Sequence, residues 1–183
     1  GFYEPRFQDV VKRKVQVSAQ PAPPAAAYSA RPVELELDPN GFNIGYFGNF
    51  YTNRGLGDYV HALEAIPEAE RPTLHVFSNA DASTGADVPG VHLHPALSYL
   101  EFLNALTQFD ALLVVDTDTS GTSYAKNPFL PSKYSDYKGS GVPIWAMVEA
   151  GSPLDREGLE FASALGSAEQ AQSVLKRLLG LQR

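Results

Sequence analysis

The sequence predicts an α/β fold: a Rossmann-like, doubly wound parallel sheet with helices on both faces. Three observations predict it. Short apolar runs of strand length recur between residues 42 and 148, most of them followed by a turn and a helical pattern. Strand and helix alternate at least four times, the signature of parallel strands joined by crossover helices. One run, Ala111-Leu-Leu-Val-Val115, is apolar throughout, as a strand covered on both faces should be.

The elements follow in order. Phe42 to Phe47 is the first buried strand and ends at Gly48. A turn over 49–57 precedes a helix from Tyr59 to Ile66, with Asp58 placed to cap it. Thr73–Phe77 is the second strand and Val91–Leu97 the third. Ser98, with Glu101 three residues on, forms a capping box for a helix carrying Leu100, Leu103, Ala105 and Leu106 at helical spacing. After Ala111–Val115 comes a long polar loop, 116–128, and then a helix that starts near Ser132. Val142–Val148 is a further strand, and Ser167 caps a last helix running through Leu179. Ligands of such sheets bind beyond the carboxyl ends of the strands, where strand order reverses. The loops 48–57, 78–90, 95–99 and 116–133 are therefore the places for a site.

Residues 1–41 are expected to form an extended amino-terminal segment and inter-domain linker, and 42–183 the domain. Val11-Lys-Arg-Lys14 and Val15-Gln-Val17 fit either a short helix or a strand. Pro21-Ala-Pro-Pro24 and Arg31-Pro32 break helix and give an extended linker. Val33–Leu37 alternates apolar and acidic residues, like a short exposed strand. The chain opens on Gly1 and not Met, as expected of a fragment.

Composition narrows the function. A hydrophobic content of 44% over 183 residues suits one globular domain with a tail and excludes global disorder. A net charge of −7 argues against a nucleic-acid partner, while 14 Lys and Arg leave room for a local anion site. The absence of cysteine excludes disulfides and thiolate metal sites. His92 and His94 alternate on a half-buried strand with no further ligands near them in the sequence, so no metal is expected. No stretch approaches the roughly 20 apolar residues of a membrane span. No signal peptide is visible, and the expected location is the cytoplasm; any association with the inner membrane face is left to a part of the protein beyond this chain.

Two segments carry chemistry. Gly48-Asn-Phe-Tyr-Thr-Asn-Arg-Gly55 lies between the first strand and a helix, where backbone amides and Arg54 can meet a phosphate. It is neither a Walker loop nor a dinucleotide fingerprint, and it also reads as an ordinary turn with a surface Arg. In the second segment Lys133 and Asp136 are three apart and share a face of the helix that starts near Ser132. An acid there can hydrogen-bond ribose hydroxyls, and the amides and Lys133 can meet a diphosphate; a surface ion pair on a crossover helix is the plain alternative.

From Phe42 to Leu179 the chain resembles the carboxyl-terminal domain of glycosyltransferases with the GT-B fold, especially the retaining family 4 type (glycosyl transferases group 1). Pro131 to Pro143 follows that family's Pro-Ser-Lys-x-x-Glu-Tyr-x-x-x-Gly-x-Pro, with Asp136 at the glutamate. Gly48 to Gly55 is in register with Gly-Arg-Leu-x-x-x-Lys-Gly. The resemblance implies one half of a GT-B fold, binding a nucleoside-diphosphate sugar without metal or other cofactor. It places Gly48, Asn49, Arg54, Ser132 and Lys133 at the donor diphosphate, Asp136 at the ribose, and the backbone around Pro95 to Leu97 at the base. It implies as partner a missing amino-terminal acceptor domain, so catalytic residues are unassigned here. Two positions depart from the pattern: Asn49 stands at the family's arginine, and Pro128 at its earlier glutamate. Two rivals remain, a nucleotide-sugar epimerase of the same fold and a non-catalytic interaction module. A receiver-type signalling domain lacks its acids at the end of the first strand.

Overall fold

The computed structural model describes residues 20–49, 55–79 and 88–182. Arg54 and the runs around Lys12 and Val17 lie outside the described residues. Among the described residues six strands form one fully parallel sheet: β1 (Asn43–Phe47), β2 (Thr73–Ser78), β3 (Val91–Pro95), β4 (Ala111–Val115), β5 (Ile144–Val148) and β6 (Phe161–Ala164). Their spatial order is β3-β2-β1-β4-β5-β6. The chain winds outward from β1 in one direction, then restarts at β4 in the other. The order therefore reverses between β1 and β4, and the crevice beyond those two strand ends is where this topology leaves room for a ligand.

Helices α1 (Gly57–Glu64), α2 (Tyr99–Leu106), α3 (Lys133–Ser140) and α4 (Ala168–Leu179) cover both faces. Alternate residues of each central strand enter opposite cores. Ile44, Leu74, Leu113 and Trp145 pack on one face with α1 and α4. Phe47, Phe77, Leu112 and Ala146 pack on the other with α2 and α3. Gly45 follows from this packing, since a side chain there would come within 2.8 Å of the Phe109 ring.

The cap at Ser98 forms as expected, with Glu101 accepting the Ser98 N–H at 3.2 Å. Ser167 likewise accepts the N–H of Gln170. Asp58 does not cap α1. The helix starts before it, at Gly57, and the Asp58 carboxylate accepts the N–H of Gly166 at 2.8 Å, tying α1 to the turn before α4. β3 stops at Pro95, short of Leu97, because proline offers no N–H to continue the ladder. β6 was not legible: Phe-Ala-Ser-Ala is short and weak in strand propensity, and its place comes from pairing with β5.

The proline-rich stretch expected as an extended linker is docked on the α2–α3 face. Residues Ala25–Ser29 make a 3-10 turn that prolines on either side permit. Tyr28 is buried there and donates its hydroxyl to the backbone carbonyl of Asp136 at 2.6 Å. Asn104 of α2 binds both sides of the strap, donating to the Tyr28 carbonyl and accepting from the Val33 N–H, each at 2.9 Å. Val33, Leu35 and Leu37 point at the core in the expected alternation, but without a strand partner in the sheet. A side chain at Gly139 would run into the Tyr28 hydroxyl, so the strap and α3 fit only around a glycine.

Candidate ligand-binding cleft

The ends of β1 and β4 open into a cleft of about 290 Å³. Its floor is Phe47 and Gly48 from β1 with Val114 and Val115 from β4, and its wall is Pro131, Ser132 and Lys133 at the start of α3. Gly48, Asn49, Ser132 and Lys133, all singled out from the sequence, therefore meet at the reversal point of the sheet. The first-turn amides of α3 carry the positive end of its dipole toward this wall. Among the described residues that line the cleft, Lys133 is the sole charged side chain.

Asn49 is committed locally. Its amide oxygen accepts the Ser78 hydroxyl at 2.7 Å and the Asn79 N–H at 3.2 Å, so it joins the ends of β1 and β2. The far side of α3 is also locked to the sheet, because the Phe47 N–H donates to the buried Tyr137 hydroxyl at 3.1 Å. Burial holds that phenol far above its usual range, so it stays a neutral partner.

A second cavity of about 190 Å³ adjoins the first, with Lys133, Ala96, Phe47 and Phe77 shared between them. It adds Leu97, Tyr99 and Phe102. Phe47 stacks on Phe77 with centroids 4.6 Å apart, and Phe102 meets Phe47 edge-on at 5.0 Å. The Lys133 ammonium lies 4.4 Å from the centroid of Phe102. Burial against these rings lowers the lysine's pKa, an effect Asp136 partly offsets. Leu97 lines this aromatic cavity, whereas Pro95 is exposed at the end of β3, and Ala96 between them lines both cavities.

Asp136 is buried in the first turns of α3, at 6% exposure, and lines neither cavity. Its carboxylate accepts the Tyr99 hydroxyl at 2.9 Å. Tyr99, Tyr137 and Phe102 were missed from the sequence. Phe102 was left out of the helical stripe of Leu100, Leu103, Ala105 and Leu106, and a tyrosine at a helix start carries no signal of a partner in another helix.

The loop between β4 and α3 is held from β5. Glu149 accepts the Thr119 N–H at 2.8 Å, the Thr119 hydroxyl at 2.7 Å and the Asn127 amide at 3.0 Å. Beside it Asp116 accepts the Glu149 N–H at 3.0 Å and the Ser152 hydroxyl at 2.6 Å. These bonds fix the approach to Pro131.

His75 and His94 share a ring-to-ring hydrogen bond of 3.0 Å, and the other His75 nitrogen bonds Asn43 at 3.2 Å. Among the described residues no group of three or more potential ligands is placed to hold a metal ion.

No protein-family model and no curated protein matches the chain. Solved structures do match. Sucrose-phosphate synthase from Thermosynechococcus elongatus aligns over 96% of this chain and 47% of its own, with 16% identity and a TM-score of 0.60. HepE of Anabaena, in complex with UDP-glucose, aligns over 78% of this chain and 40% of its own, with 14% identity and a TM-score of 0.56. The carboxyl-terminal domain of a glycosyl transferase group 1 protein from Francisella tularensis aligns over 76% of this chain and 75% of its own, with 16% identity and a TM-score of 0.50. UDP-N-acetylglucosamine 2-epimerases share the fold as well. The chain thus spans less than half the length of the two intact proteins matched first, and its fold is that of the carboxyl-terminal half of a GT-B glycosyltransferase.

Proposed function

We propose that this chain is the donor-binding domain of a glycosyltransferase and that it takes a nucleoside-diphosphate sugar in the cleft between β1, β4 and α3. One observation carries the reading. In a chain of net charge −7, the cleft at the sheet's reversal point is lined, among the described residues, by a single charged side chain, Lys133, beside the amino end of a helix. That corner suits an anion.

Ser132, Lys133 and the first amides of α3 face the diphosphate, with Gly48 opposite; Arg54 is the further phosphate ligand that the family resemblance implies. The smaller aromatic cavity, bordered by Leu97, takes the base, with the backbone from Pro95 to Leu97 beside it. Asp136 accepts a ribose hydroxyl. Fixed donors at a departing diphosphate stabilise its charge without a metal ion, and transfer proceeds with retention. A general base is not evident among these residues, and the acceptor side belongs to a preceding domain. The chain alone therefore binds its donor weakly and does not turn over.

A second reading has one observation in its favour: Asn49, at the family's arginine, is spent on Ser78 and Asn79, so this position contributes no cation. A non-catalytic module fits that feature, and the shared fold leaves a nucleotide-sugar epimerase as a further rival. A thermal-shift panel of UDP, GDP, ADP and TDP sugars decides between them, combined with a hydrolysis, epimerisation and transfer assay. The donor reading expects one nucleotide family to raise Tm, with no turnover. Absence of any shift favours the module. Turnover by the chain alone overturns the two-domain reading.

A further inference from the structure

Tyr99 is the first residue of α2, and 56% of it is exposed to solvent. The hydroxyl at its tip reaches across to α3 and donates to Oδ1 of Asp136 at 2.9 Å, while Asp136 is 6% exposed. The ring lines the aromatic cavity, 6.1 Å from Phe102, which also lies 4.4 Å from the Lys133 ammonium. A mostly exposed side chain thus closes a contact between a buried acid and a cavity mouth. Burial of the hydroxyl, and then its bond to Asp136, raise the phenol's pKa, so it remains a donor at neutral pH.

A buried carboxylate needs donors, and leaving it without one costs far more than exchanging one hydroxyl for another. An exposed ring changes rotamer quickly and with little packing to lose. We propose that Tyr99 is a stand-in donor, holding Asp136 behind the aromatic cavity where a ribose hydroxyl holds it in the bound state. Tyr99 therefore competes with the ligand and sets how strongly the cleft discriminates for hydroxyl-bearing sugars. This inference rests on the donor reading, which gives Asp136 its ligand.

The stand-in role gives opposite signs to stability and affinity. Tyr99→Phe removes the competing hydroxyl and keeps the ring. The ligand-free variant loses stability, because Asp136 loses a donor, yet binding tightens, because the ligand hydroxyl meets no competitor. Calorimetric titration of the chain and its Tyr99→Phe variant tests this with UDP, GDP, ADP and TDP, each beside its 2′,3′-dideoxy counterpart. The expected result is a lower Tm without ligand and roughly three- to tenfold tighter binding of the preferred nucleotide. Binding of its dideoxy form should not change. Weakened or unchanged binding of the preferred nucleotide would make Tyr99 a plain structural contact and overturn the inference alone. If neither protein binds any of the nucleotides, the donor reading falls and this inference with it.

Discussion

Helices α3 and α4 are packed against the same sheet by different means. In α4 the buried residues are Ala171, Val174, Leu175 and Leu178, an apolar stripe at spacings of three and four. Its other residues are mostly polar and exposed, and the bonds that Gln170, Gln172 and Arg177 make to neighbouring segments lie at the surface. In α3 four consecutive residues are buried, Tyr134, Ser135, Asp136 and Tyr137. Consecutive burial means the helix is enclosed on every side. Each side chain is held by a polar bond: Tyr134 to Glu157 at 2.8 Å, Ser135 to the Gln20 carbonyl at 3.1 Å, Asp136 to Tyr99 and Tyr137 to Phe47. A supporting helix needs only area removed from water. A helix that carries a site is positioned by directional bonds from the strap, α2 and β1, which fix where its amino end points.

The largest expected effect breaks the comparison from the α4 side. Leu175 is fully buried, so Leu175→Ala should destabilise the domain by about 2–5 kcal/mol in urea unfolding. Nucleotide affinity of the folded fraction should stay unchanged, because α4 packs on the face away from the cleft. A parallel loss of affinity would show that the two helices are not separable.

A smaller effect sets the background for both. Burial, with His94 and His92 nearby, lowers the pKa of His75 to about 4 from the ordinary 6.5. The unfolded chain takes up this proton near its ordinary pKa and the folded chain resists. The stability is therefore fully present above pH 6.5 and is lost as pH falls from there toward 4, by at most about 3 kcal/mol. Urea unfolding from pH 7.5 to 4.5 should show this decline, and His75→Gln should flatten it. An unchanged slope in the variant would assign the acid sensitivity elsewhere.

The same contrast explains what the sequence made legible. The period of α4 and the continuous run of β4 announced themselves, because apolar spacing is a local property. The cleft residues Gly48, Ser132 and Lys133 were found from spacing beside strand ends and from the family resemblance. The docking of residues 20–38 was not foreseen, since prolines report the local chain and say nothing of Tyr28 meeting Asp136 across 108 positions. Tyr99 was missed for the same reason. Asn49 was read as a lost cation, and the structure adds that it is a bridge between two strand ends.

The central claim is that the amino end of α3 with Lys133 holds a diphosphate. Lys133→Met keeps the stem over Phe102 and removes only the charge, so it isolates that claim. Calorimetric titration of both proteins with the preferred nucleoside diphosphate and with its parent nucleoside measures it. The account predicts that the variant binds the diphosphate roughly tenfold more weakly, about 1.4 kcal/mol, and the nucleoside equally well. Equal affinity of both proteins for the diphosphate would contradict it.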